Sequence, residues 1–325
     1  MEIVTYSKNV FIPLTNACRN RCAYCGFRSD NPRLMDEKEV LDLLKNAKNA
    51  KEALFTFGEK PEVYDEVKNK LKTIGYSTFL DYIVAMNKMA IESGLLPHTN
   101  AGILDKSELR KLKPYNASMG LMLEQAVELD CHKNSPGKKP KVRIKMIEDA
   151  GKLKIPFTTG ILVGIGEKKY DREYSLEVIS EIHKNYGHIQ EVIIQNFSPK
   201  KGTEMENFSP PTIEEMLETV KIARKVLPND ITIQIPPNLV EDIYPFIKAG
   251  VRDLGGISDV TPDYINPEHP WPTLQKIERC LKGEVLLKER LPIYPNYIKL
   301  GWFSEKIGWL IKKLSDGKGY ANSGL

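Results

Sequence analysis

The sequence predicts an α/β protein, a TIM-type parallel (β/α)8 barrel. Three observations carry this. Eight short apolar runs alternate with stretches of helical periodicity along the 325 residues, and strands that alternate with helices pair in parallel. The length suits one such barrel, for which about 250 residues is usual and larger examples are common. No stretch rich in Gly, Pro or Ser divides the chain. A doubly wound open sheet is the competing arrangement, because alternation alone does not close a barrel.

In chain order, residues 10–14 read as the first strand and lead into a cysteine-rich loop. Helix 35–51 follows, with Asp36 and Glu39 at capping-box spacing. Strand 53–57 ends in Gly58-Glu59, and helices 63–71 and 79–91 come next. Strand 95–100 precedes the short helix 106–112, and strand 117–122 runs on to Glu124. Residues 133–140 read as a loose loop, and the Lys138-Lys139-Pro140-Lys141 cluster that overlaps its end reads as solvated. Helix 141–153, strand 157–163, helix 173–185 and strand 191–197 continue the alternation. Thr212, with Glu215 three residues on, caps a helix to 226. Strand 231–235, helix 240–249, strand 253–258 and helix 274–281 complete eight units. The barrel is assigned to residues 1–283. Residues 284–325 are read as a C-terminal extension packed on the same domain. Its prolines at 292 and 295 argue against regular helix there, a helix near 304–314 follows, and the last residues look frayed.

Composition narrows the functional classes. Net charge is +4, and no aromatic residues interleave the one lysine cluster, so nucleic acid is not an expected partner. No run reaches the roughly 18 apolar residues of a membrane span, and no basic-then-apolar leader opens the chain. A cytoplasmic location is the default. The five cysteines are odd in number and clustered, which favours metal chemistry in a reducing compartment over a disulfide framework.

Three of the five lie within eight residues, Cys18, Cys22 and Cys25, spaced C-x3-C-x2-C on the loop after the first strand. Three thiolates can hold three irons of a four-iron, four-sulfur cluster and leave one iron open. A Cys3His zinc site or three unrelated thiols are the plainer readings. Cys131 and Cys280 are isolated and read as buried thiols.

A barrel would carry its active site at the C-terminal strand ends, and polar or glycine residues recur there. Gly58 and Glu59 follow strand two, where backbone beside a glycine can approach a ligand closely. Glu124 ends strand four and can accept ribose hydroxyls. Arg143, in the next helix, can fork onto a carboxylate. Gly164, in the Gly160–Glu167 stretch, closes strand five, and Gln195 and Asn196 end strand six. Tyr24 and Phe27 flank the last cysteine. His98, Asn100, Thr159, Asn238, Ser258, Asp259 and Thr261 form a candidate substrate shell.

The cysteine spacing resembles the signature of the radical S-adenosylmethionine (SAM) enzymes. In that family the open iron takes the amino and carboxylate groups of SAM. The resemblance assigns the SAM methionine to Gly58-Glu59, ribose and carboxylate to Glu124 and Arg143, and adenine to Tyr24, Phe27, Gly164, Gln195 and Asn196. Residues 13–28, 57–62, 98–102 and 116–124 together are more specific. They are similar to the cyclising-subunit family of FO synthases. That resemblance implies a [4Fe-4S] cluster, SAM, an external electron donor and a tyrosine-derived adduct of 5-amino-6-(D-ribitylamino)uracil. It implies a 5'-deoxyadenosyl radical, ring closure to a deazaflavin and loss of ammonia. It also implies a sister radical SAM subunit that makes the adduct. That sister, and a nucleic-acid-modifying radical SAM enzyme, are the alternatives. The length leaves room for one of the two barrels.

Overall fold

The computed structural model describes residues 2–322. Its strands are β1 (Glu2–Ile12), β2 (Glu52–Thr56), β3 (Leu96–Asn100), β4 (Ser118–Gly120), β5 (Phe157–Val163), β6 (Ile189–Asn196), β7 (Thr232–Gln234), β8 (Asp253–Ile257) and β9 (Val285–Glu289). The helices are α1 (Glu37–Asn46), α2 (Asp65–Thr73), α3 (Phe79–Glu92), α4 (Lys106–Leu112), α5 (Pro140–Lys152), α6 (Lys169–Tyr186), α7 (Ile213–Val226), α8 (Tyr244–Ala249), α9 (Leu274–Cys280), α10 (Pro295–Lys299) and α11 (Glu305–Leu314). All strand pairings among them are parallel, in the order β2 to β8 and then β1. β1 also pairs with β2, Asn9 opposite Glu52 and Ile12 opposite Phe55, so the barrel closes.

β1 is longer than the apolar run 10–14 suggests. Its first half alternates Thr5, Ser7 and Asn9, all buried. These turn inward, and two meet polar partners: Thr5 donates to Asp253 and Ser7 to Glu52. Polar residues on an inward face erase the hydrophobic signal that identifies a strand in a sequence. The outward face packs on helices, with Val10, Ile12, Ala53 and Phe55 in one cluster with Val40, Leu44, Ile83 and Met86.

The capping boxes at Asp36–Glu39 and Thr212–Glu215 are both formed. α1 stops at Asn46, with Ala47 as its C-cap, well short of 51. Residues 61–63 form a 3-10 turn, so α2 begins at Asp65. α8 starts at Tyr244, four residues later than 240, because Pro245 suits only the first turn of a helix.

The tail differs most. Residues 285–289 form β9 beside the lower half of β1, Glu2 opposite Val285. Pro295 does not prevent helix; it sits in the first turn of α10, where its missing N–H is harmless. Leu291, Ile293, Tyr297, Leu310 and Ile311 pack against Ile91, Leu96 and Ala117. The strap runs beneath the N-terminal strand ends, where Ser118 and Gln190 both donate to the Pro292 carbonyl at 2.6 and 2.9 Å. The expected fraying of the last residues falls on 323–325, outside the described residues. Among the described residues no helix is long and apolar enough to cross a membrane.

Candidate active site

A cavity of about 400 Å³ runs down the barrel axis, with Cys18, Cys22 and Cys25 at its mouth and Asn9, Glu52, Glu191 and Arg290 in its depth. The cysteine loop is pinned by the next strand end. Gly58 donates to the Thr15 carbonyl at 2.9 Å, and the Arg19 N–H donates to the Glu59 carbonyl at 2.9 Å. Any Cβ at Gly58 would fall 1.8 Å from the Ala17 oxygen, so only glycine permits this approach.

Residues 131–138 clamp the loop from the other side. They are held in place, and of the expected solvated cluster Lys139 and Lys141 are exposed while Lys138 is not. Ala23 donates to the Cys131 carbonyl at 2.9 Å. Ser135 accepts from the Arg21 N–H at 3.1 Å and donates to the Cys22 sulfur at 3.3 Å. The Gly137 N–H donates to Asn20 at 2.8 Å. Lys138 is drawn inward to pair with Glu124. Polar contacts made to a distant loop leave no trace in local composition. Cys131 is buried as expected, whereas Cys280 at the end of α9 is only half-buried.

The thiols are free, and the Cys18 sulfur accepts the Glu59 N–H at 3.3 Å. Burial pushes the Cys18 and Cys22 thiols up; a bound cation would reverse this, since metal-bound thiols are deprotonated outright. Among the described residues no three His, Cys, Asp or Glu converge as one metal ion requires. A cluster spreads its thiolates over separate irons, and three free thiols bordering one cavity are a donor set that fits it.

Around this mouth stand the other predicted residues. Glu59 is buried, bound by Arg19 Nε at 2.6 Å and by the Ile103 N–H at 3.0 Å. Glu124 adopts φ +64° and lies between Lys138 and Arg143, the latter at 3.8 Å. Burial alone would raise its pKa, but the two cations outweigh that and hold the carboxyl below its usual range. Arg143 is also bound to carbonyls, Met122 through Nε and Gly137 through Nη1 at 2.8 Å. Tyr24, Phe27, Gln195, His98, Asn100 and Asn238 border the cavity as well. Tyr24 shares a 2.9 Å hydrogen bond with His132.

The remaining candidates lie outside the cavity wall. Thr159 points away from the lumen because strand residues alternate, and its neighbour Thr158 takes the inward place. Ser258 and Thr261 bond one another at 2.9 Å, and Thr261 accepts the Phe11 N–H. Asp259 is exposed. Asn196 donates to the Leu239 carbonyl at 3.0 Å. The turn at Gly164 is filled by Glu167, which accepts the Gly164 and Ile165 N–H groups and is held by Arg172 at 2.7 Å.

Sequence reasoning missed the floor. Arg290 from the strap binds Asp253 at 2.6 and 2.9 Å and Glu191 at 3.1 Å, and Tyr294 donates to Glu191 at 2.7 Å. Burial pushes Glu52 up to about 7, despite Arg290 and Ser7. Burial likewise raises Glu191 against the pull of Arg290, and lowers His98 to about 4. Charged residues at the N-terminal ends of strands, Glu52 and Asp253 each opening one, were the available signal.

Comparison with known proteins fits this geometry. A family model described as the radical SAM superfamily matches residues 12–179. Crystal structures of methylornithine synthase (TM-score 0.65, 19% identity, covering 86% of this chain and 82% of that one) and of HydG, a maturase of the [FeFe]-hydrogenase (0.70, 16%, 96% and 69%), share the fold. The chain belongs to the radical SAM superfamily. Within it, a protein of Archaeoglobus fulgidus named 7,8-didemethyl-8-hydroxy-5-deazariboflavin synthase is 69% identical over 99% of both chains. One of Methanosarcina mazei with the same name is 56% identical over 98% of this chain and 96% of its own. The chain is a member of this deazariboflavin synthase family.

Proposed function

We propose that this chain is the cyclising subunit of FO synthase. It takes the tyrosine-derived adduct of 5-amino-6-(D-ribitylamino)uracil and closes it to 7,8-didemethyl-8-hydroxy-5-deazariboflavin, with release of ammonia. The observation that carries the reading is 69% identity along the whole chain to a relative named 7,8-didemethyl-8-hydroxy-5-deazariboflavin synthase. The sister subunit supplies the adduct, and an external donor supplies electrons. The reading assigns the reaction to the cytoplasm, where reducing conditions keep the thiols free.

Cys18, Cys22 and Cys25 would hold a [4Fe-4S] cluster through three irons. When bound, the cluster and SAM together supply a 5'-deoxyadenosyl radical for hydrogen abstraction. The residues around the mouth bind and orient. The Gly58-Glu59 turn offers backbone acceptors to the methionine amino group. Glu124 accepts ribose hydroxyls, and Lys138 and Arg143 keep its carboxylate ionised for that task. Arg143 would turn to the ligand carboxylate the Nη2 that now makes a 3.8 Å ion pair with Glu124. Tyr24, Phe27 and Gln195, which line the cavity, would border the adenine. Enclosure matters because a primary carbon radical is quenched by most C–H and S–H bonds it meets.

Anaerobic reconstitution tests the cofactor half of the reading. The protein should show four-iron absorption and cleave SAM under reduction. A reconstituted protein without either property would remove the radical assignment.

A further inference from the structure

The roles above leave the lower half of the cavity unexplained. Its wall there is polar, with Asn9 of β1, Glu52 of β2, His98 of β3, Thr158 of β5 and Gln234 of β7. Several of these are already engaged. His98 bonds Ser118 at 2.6 Å, Thr158 donates to Glu191 at 2.7 Å, and Ser7 donates to Glu52. Asn9 is different. It is 2% exposed, and neither Nδ2 nor Oδ1 has a partner among the described residues. Buried amides are nearly always paired, so an orphan in a cavity wall marks a place for a ligand group.

The neighbouring strand is shaped around it. A Cβ at Gly256 would lie 2.0 Å from Asn9 Nδ2. Gly256 is not among the residues with positive φ, so here glycine supplies space and not conformation. At the adjacent Gly255, a Cβ would lie 2.3 Å from Nε2 of Gln234. Two amide side chains therefore occupy room cleared by consecutive glycines of β8.

We infer that this floor recognises the N–H/C=O edge of a neutral pyrimidinedione ring, read by the Asn9 carboxamide. A carboxamide sets a donor beside an acceptor. Its two-point partner sets an acceptor beside a donor, the way asparagine reads a base edge. Charge favours a neutral ring. The floor holds Glu52, Glu191 and Asp253 against one guanidinium, and Arg290 is already committed to two of these carboxylates. Asn9 lies three residues below the end of β1, roughly 10 Å at the usual strand rise. A ring held there leaves the rest of the ligand directed toward the cysteines. The identity of the ring rests on the deazaflavin reading, which this inference deepens by giving the adduct an orientation.

The test is equilibrium binding to the anaerobically reconstituted full chain. The probes are 5-amino-6-(D-ribitylamino)uracil and its N3-methyl analogue. The wild type should prefer the unmethylated probe by about tenfold or more. Asn9→Leu keeps the size and removes the amide; Gly256→Ala displaces the amide and keeps Asn9. Each should weaken binding by about tenfold and abolish the preference. Cluster absorbance reports whether each variant has folded, and if Asn9→Leu fails to fold, Gly256→Ala and the wild-type comparison decide. A wild type that binds both probes alike, or neither, overturns the inference, as does a preference unchanged in the folded variants. Turnover of the adduct by the wild type is scored separately. Deazaflavin formed while the variants keep the preference would remove the inference alone. No deazaflavin with the predicted preference would remove the reaction reading alone.

Discussion

Glu124 is the residue on which the proposed SAM contacts turn. A non-glycine residue at φ +64° is uncommon, and its carboxylate sits between two largely buried cations. Glu124→Ala should weaken SAM binding by about tenfold or more, because a ribose acceptor is lost and two cations are left facing each other. Iron content should stay at the wild-type level; a variant that loses iron as well would make Glu124 a structural residue. Cys22→Ala should lose both the four-iron absorption and SAM cleavage, and activity retained would mean that the sulfur is not a ligand. Glu52 belongs to the same scale. Its pKa is raised from 4.5 to about 7 by burial, so folding favours the protonated form. The stability it contributes is complete below about pH 4.5 and is lost as pH rises through 7. Thermal unfolding should show a decline from about pH 5 to pH 8 that Glu52→Gln flattens; parallel curves would mean that Glu52 does not titrate there.

Two elements hold the site together from opposite ends. The 131–138 segment grips the cysteine loop through Ser135 and Gly137. A Cβ at Gly137 would meet Glu59 Oε1 at 1.9 Å, so Gly137→Ala should lower both cluster incorporation and SAM affinity. Iron analysis after reconstitution checks this, and wild-type loading would show that the clamp tolerates the change. At the other end, the strap inserts Arg290 among carboxylates. Arg290→Met leaves Asp253 and Glu191 uncompensated in the interior and should destabilise the fold by about 3–5 kcal/mol, measured by denaturant unfolding. Neither element was legible in the sequence, and for one reason. Residues 133–140 are rich in Lys, Gly and Pro, and 284–295 carries four charged residues and two prolines among its apolar ones, compositions that read as loop. Their order comes from contacts with residues more than a hundred positions away, such as Ser135 with Arg21 and Pro292 with Ser118. Elements with local signals fared better. The capping boxes of α1 and α7 and the apolar run of β5 formed as their residues indicate.

For the molecule as a whole, alternation of strand and helix was enough to indicate a barrel, and β1–β2 pairing closes it. The mouth of the site was legible because its chemistry is concentrated in one eight-residue stretch and in the short turns after the strands. The floor was not. Asn9, Glu52, Glu191 and Asp253 lie on different strands, and only closure brings them together over Arg290. The resulting molecule has a thiol-lined mouth above a polar base, with the C-terminal strap as its plug. The account of that molecule as a cyclase is tested most directly by anaerobic turnover under reduction, with SAM, in two parallel reactions. One is given the preformed tyrosine–uracil adduct; the other is given free tyrosine and 5-amino-6-(D-ribitylamino)uracil. Fluorescent deazaflavin should form in the first and not in the second. Consumption of free tyrosine in the second, with no deazaflavin from the adduct, would contradict the account and assign the chain to the joining step.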